Sequence, residues 1–268
     1  MDIWSRSVDS RVTWALSEFL HRHLLPRHAI STIVLSYRRC AQPLVAFERY
    51  VGSNRLRRKR QRGFDVFVQV ITGKVADAAA VRARFDRWLE ELAPGAKGWL
   101  GSTAGVTDDG RIVVLARFES EEAAQRNSGR PEQGQWWAET AKLLDGEATF
   151  RDSTKVTPDL RGDPDQAGFV QVMQGQQGPD SERAQELMNE NADEWAEFRP
   201  DVLASLGVAH ADNTWTMALY FTSEAEAREG ERKEPPPKLQ AQMEEMQKLS
   251  VGEPDYFDLR NPWMSSPK

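Results

Sequence analysis

The stretch Phe67-Val-Gln-Val-Ile-Thr-Gly73 returns later in the chain as Phe169-Val-Gln-Val-Met-Gln-Gly175. Two further blocks repeat in the same order. Arg117-Phe-Glu-Ser-Glu-Glu-Ala-Ala124 answers to Tyr220-Phe-Thr-Ser-Glu-Ala-Glu-Ala227, and Leu144-Asp-Gly-Glu-Ala-Thr-Phe150 answers more loosely to Leu249-Ser-Val-Gly-Glu-Pro-Asp-Tyr-Phe257. Three blocks at a nearly constant offset indicate one structural unit written twice.

The periodicities within the unit change in a fixed order. Phe67, Gln69 and Ile71 alternate with Val68 and Val70, which is strand spacing. Asp77 is placed to cap a helix whose stripe is Val81, Phe85, Trp88, Leu89 and Leu92, and Pro94-Gly95 ends it. Trp99 to Val106 and Arg111 to Phe118 read as strands joined by a hairpin at Asp108-Asp-Gly110. In the second of these, Ile112, Val114, Ala116 and Phe118 share one face, matched by Trp215, Met217, Leu219 and Phe221 in the other copy. That face is apolar in both copies and is expected under helices. The opposite face, with Val113, Leu115 and Arg117 or Ala218 and Tyr220, suits a cavity or a second sheet. Ser120 and Ser223 are N-cap residues for a helix predicted to break at Asn127-Ser-Gly-Arg-Pro131 in one copy and over Gly230 to Pro237 in the other. A second helical piece and a last strand, near 147–152 and 254–259, close each unit.

The element order is therefore β-α-β-β-α-β, twice, an α+β pattern of the ferredoxin-like kind. The expected organisation is repeat one at 66–153, a polar linker at 154–167, repeat two at 168–259 and a tail at 260–268. Each unit leaves one sheet face bare. Two units face to face would form an intramolecular α+β barrel, a pseudo-dimer in one chain, so a monomer or weak homodimer is expected.

Residues 1–63 stand apart, with 13 Arg and Lys against 4 Asp and Glu, whereas the rest of the chain has 22 against 37. The acidic repeat region argues against nucleic acid as its partner. For the basic segment, a targeting peptide, a basic arm and a translation-start artefact remain open; the artefact is favoured, and a genuine segment is expected to be disordered. The single Cys40 can make no intramolecular disulfide, and no apolar run approaches the about 20 residues that span a bilayer, so a cytoplasmic, membrane-free protein is expected. His21-x-His23 lacks a third ligand, and no metal or other cofactor is expected. There is no Walker sequence, and Gly101-Ser-Thr-Ala-Gly105 places Thr103 where a nucleophile elbow has Ser.

The element order, the Phe-Val-Gln-Val strands and the passage Ala116-Arg-Phe-Glu-Ser-Glu-Glu-Ala-Ala124 resemble the dimeric α+β barrel superfamily over about residues 66–259, and most of all its antibiotic-biosynthesis-monooxygenase-type members. In that family two chains usually make the barrel. The resemblance implies a small-molecule ligand, aromatic or polyketide-like, and a cofactor-independent monooxygenase or isomerase. Haem-degrading relatives carry a His on the second helix, and no His occurs between Phe67 and Asp152.

The least repetitive stretch is Arg126-Asn-Ser-Gly-Arg-Pro-Glu-Gln-Gly-Gln-Trp-Trp137, whose Asn, Gln and Trp residues have no counterpart in repeat two. A one-sided site needs to be kept in only one copy. The functional reading places Asn127, Arg130, Glu132 and Gln133 at the mouth of a cavity walled by Trp99, Trp136 or Trp137, with Gln69 and Arg117 projecting from the sheet. The resemblance then implies that Arg117 or Arg130 stabilises an enolate that Asn127 orients. The plainer reading is that Pro131 starts a helix, the tryptophans pack on the sheet edge, and Arg117 pairs with Glu119 or Glu132. A non-catalytic protein with a barrel filled by Val113, Leu115, Met173 and Tyr220 is the alternative.

Overall fold

The structure, a computed structural model, describes residues 66–267. Cys40, the three N-terminal histidines and the basic run lie outside the described residues. Repeat one comprises β1 (Phe67–Lys74), α1 (Ala78–Glu91), β2 (Trp99–Val106), β3 (Arg111–Phe118), α2 (Glu121–Ser128), α3 (Pro131–Ala141) and β4 (Thr149–Ser153). Next come β5 (Val156–Leu160), β6 (Phe169–Gln177), α4 (Ser181–Asn189), α5 (Ala192–Phe198), β7 (Val202–Ala209), β8 (Thr214–Phe221), α6 (Glu224–Glu231), α7 (Pro237–Leu249), β9 (Ser250–Leu259) and β10 (Trp263–Ser265).

The helix starts follow from their caps. The Asp77 carboxylate accepts from the Ala80 N–H (2.9 Å), and the Ser120 and Ser223 hydroxyls accept from Ala123 and Glu226 (3.3 Å each). Gly110, at φ +80°, makes the β2–β3 turn. In repeat two the first helix is interrupted: Asn191 sits at φ 53°, a left-handed conformation that Asn tolerates, between α4 and α5. Trp195 is half-buried there and donates to Gln242 Oε1 (3.0 Å).

Two five-stranded antiparallel sheets result, ordered β10-β2-β3-β1-β4 and β5-β7-β8-β6-β9. Their inner faces meet in one apolar core that includes Val68, Val113 and Leu115 from the first sheet and Val172, Leu206 and Tyr220 from the second. Tyr220 Oη and Thr103 Oγ1 are hydrogen-bonded across it at 2.8 Å. The outer faces lie under helices, as the alternation in β3 requires: Phe118 packs with Trp88, and Val114 packs with Val81. Met173, expected in the interior, alternates with the inner-facing Val172 and belongs to the outer face.

Two strands were not legible as such. The linker contains β5, which pairs with β7, and the tail contains β10, which pairs with β2 of the other repeat. Each sheet thus takes one edge strand from chain that leaves the other unit. Among the described residues, no helix is long and apolar enough to cross a membrane.

Candidate functional site

Between the outer face of the first sheet and helices α1 and α3 lies a cavity of about 80 Å³. Strand alternation sends Ile71, Val114 and Ala116 to its floor. The α1 stripe contributes Phe85 and Trp88, and α3 contributes Trp136 and Trp137. The aromatic walls interlock edge to face, Phe85 on Trp136 at 5.5 Å and Trp88 on Trp99 at 5.1 Å between ring centroids, an arrangement that fixes the rings.

Among the polar side chains that line the cavity, Gln69, Ser102, Asn127 and Gln133 each have one atom tied to the protein. Trp88 Nε1 donates to Gln133 Oε1 (2.7 Å), Trp99 Nε1 to Ser102 Oγ (3.0 Å), Arg130 Nη1 to Asn127 Oδ1 (3.0 Å), and Gln69 Nε2 to Asp152 Oδ1 (3.0 Å). The remaining functions are therefore set. Gln133 Nε2, Asn127 Nδ2 and the Ser102 hydroxyl are donors, Gln69 Oε1 is an acceptor, and none has a further partner among the described residues. Asn127 is 6% exposed, so its free N–H groups are held away from bulk water. Asp152 is an exposed residue of β4 paired with Gln69 of β1, and its carboxyl meets the Gln69 side chain beside the cavity. The surrounding protein pushes its pKa up by desolvation, the Gln69 hydrogen bond opposes this, and Glu121 on α2 adds to the rise.

Of the residues singled out from the sequence, Gln69, Trp99, Asn127, Gln133, Trp136 and Trp137 line the cavity. Arg130 does not. It sits at the α2–α3 break, where Nη1 also donates to the Leu92 carbonyl (3.0 Å) and Nε pairs with Glu132 (2.9 Å). Arg130 thus holds Asn127 rather than a ligand, and Glu132 points outward, its carboxyl held below the usual range by a backbone N–H and by Arg130. Arg117 corrects the expectation most plainly. It shares the inner face of β3 with Val113 and Leu115, on the far side of the sheet from Asn127, and its Nε is buried without a partner among the described residues. It forms no ion pair there with Glu119 or Glu132. Ser102 and Asp152 were missed, although the pair Gln69 and Asp152 recurs as Gln171 and Asp258 (3.0 Å), a signal within the duplication itself.

Repeat two carries larger or different groups at the matching positions. By strand register Ala116, Val114 and Ile71 correspond to Leu219, Met217 and Met173. Asn127 corresponds to Gly230, beside which the Arg199 guanidinium lies so close that a Cβ there would be 2.5 Å from Nε. Arg228 reaches both Asp258 and Glu231.

No family model matches this sequence, and no curated protein matches it. Solved structures do match its shape. A candidate monooxygenase from Lactobacillus acidophilus NCFM superposes with TM-score 0.58 at 11% identity, over 74% of this chain and 98% of that one. A second candidate monooxygenase, from Fusobacterium nucleatum, gives 0.60 at 10% identity over 76% and 95%. An anthrone oxidase-like protein gives 0.55 at 10% over 76% and 94%. These spans exceed either repeat alone, so both units are matched. The chain therefore has the fold of these structures, a duplicated ferredoxin-like α+β unit whose two sheets pack face to face.

Proposed function

We propose that repeat one binds one small aromatic molecule in the cavity under α1 and α3 and acts on it as a monooxygenase or isomerase that uses no metal. The observation that carries this reading is the one-sidedness of the cavity: its floor is Ala116 where repeat two has Leu219, and its buried donor is Asn127 where repeat two has Gly230. Aromatic walls favour a flat apolar ligand, and three oriented donors, Asn127 Nδ2, Gln133 Nε2 and the Ser102 hydroxyl, suit an oxygen that gains negative charge as an enolate forms. The role that the resemblance gave to Arg117 passes to these amides. The names of two structures of like fold, both candidate monooxygenases, support the monooxygenase reading.

The test is tryptophan fluorescence and calorimetry with quinones, anthrones and naphthols, followed by oxygen uptake with any ligand that binds. Ala116→Leu should abolish saturable binding while leaving the melting temperature within a few degrees, because it fills space rather than opening it. Binding that survives Ala116→Leu places the ligand elsewhere. A second reading has its own support, since none of the cavity-lining residues is ionisable. If ligands bind and neither oxygen uptake nor isomerisation follows, the protein is a binding protein.

A further inference from the structure

The Gln69–Asp152 pair at the cavity edge is present in repeat two as Gln171–Asp258, and the two copies differ in what else touches the carboxylate. Asp258 is ion-paired with Arg228, Gln171 Nε2 is shared between Asp258 and Glu231, and Gln171 is 7% exposed. That copy is a closed ionic cluster. In repeat one the position of Arg228 is taken by Gln125, whose amide bonds Glu121 instead (3.1 Å). Asp152 is left with Gln69 as its hydrogen-bond partner among the described residues, and Gln69 faces the cavity.

An ionised carboxylate only accepts hydrogen bonds. Facing Asp152, the Gln69 amide must turn its NH₂ to the carboxylate and its Oε1 to the cavity. Resting on the binding reading above, we infer that Asp152 acts as a positioning residue that fixes Gln69 as an acceptor, so that the cavity selects aromatic ligands presenting a hydroxyl at this wall over otherwise equal ligands whose oxygen is capped. Protonated Asp152 has an O–H of its own to donate, the amide is then free to turn, and the selection lapses. The groups facing Asp152 are Gln69 on β1 and Glu121 on α2; Arg151, its neighbour in sequence, bonds Asp212 instead.

The experiment is calorimetric titration of the full chain with 1-naphthol and with 1-methoxynaphthalene. At pH 7.5 the naphthol should bind at least tenfold more tightly, because the ether leaves the half-buried Gln69 acceptor unpaired. Gln69→Leu and Asp152→Asn should each bring the ratio to within about threefold while 1-methoxynaphthalene still binds, which shows that the cavity persists. In the wild type the ratio should fall as the pH drops into the ionisation range of Asp152, which lies above that of an ordinary Asp, and in Asp152→Asn it should be flat. Equal binding of the two probes by the wild type, or a ratio unmoved by either substitution or by pH, would overturn the inference and leave the cavity reading standing. Binding of neither probe would overturn both.

Discussion

Two residues, each with a buried nitrogen that lacks a partner among the described residues, carry the most informative single substitutions. Arg117 keeps a guanidinium on the inner face of the first sheet with its Nε unpartnered among the described residues. A buried polar group without a partner costs stability, so Arg117→Met, which keeps length and removes the donors, should leave the unfolding free energy unchanged or raise it by about 1 kcal/mol in urea titration. Ligand affinity in the cavity should not change, because the sheet lies between; a tenfold loss would return Arg117 to the site. His210, at the end of β7, is 6% exposed, with Nε2 bonded to Thr216 Oγ1 (2.9 Å) and Nδ1 unpaired among the described residues. Burial pushes its pKa down, against the attraction of Asp212, and Arg151 adds to the fall. The unfolded chain then binds the proton more readily than the folded one. The stability this histidine lends is full above its unfolded pKa, about 6.5, and is lost as the pH falls from there toward the folded value. Urea midpoints across that range should drop more steeply in the wild type than in His210→Asn.

At the scale of elements, β10 is the strand whose removal is most telling. It covers the free edge of β2, and Trp263 packs on Phe85 (5.5 Å between ring centroids) and under Arg82 (5.3 Å from the guanidinium to the ring). Trp263→Ala should cost about 2 kcal/mol, near half the loss for a fully buried Trp. A chain ending at Arg260 should lose more and associate with concentration, measured by light scattering, because the bare edge of β2 presents unpaired N–H and C=O groups. The elements that sequence made legible are those with a strong local signal: alternation in β1 and β3, the Asp77 and Ser120 caps, and the Asp-Gly turn. β5 and β10 lack it. Val156-Thr-Pro-Asp-Leu160 is short and carries a Pro, Trp263-Met-Ser265 has three residues, and only their partners in the other repeat make them strands. The site followed the same division. Asn127, Gln133 and the tryptophans stood out by composition, whereas Arg117 was misplaced because alternation says which residues share a face and not which face meets the ligand. Asp152 joins the site only through a pairing with β1 that spans most of the repeat.

For the whole molecule, the shared core and the exchanged edge strands make each repeat incomplete alone. Fragments 66–154 and 155–268, produced separately, should each lack a cooperative melting transition, since each would expose the inner face that the other covers. Mixed from denaturant, they should recover the circular dichroism and the melting transition of the intact chain. Two fragments that fold independently would show that the inter-sheet core is dispensable. The fusion also explains why the two outer faces differ so much. In a homodimer of one such unit every substitution is written twice, so a Leu that braces one half also blocks the pocket of its twin. Joined in a single polypeptide, the halves mutate independently: Leu219 thickens one wall while Ala116 stays small, and a symmetric ancestor's two modest sites give way to one specialised chamber and one dedicated buttress.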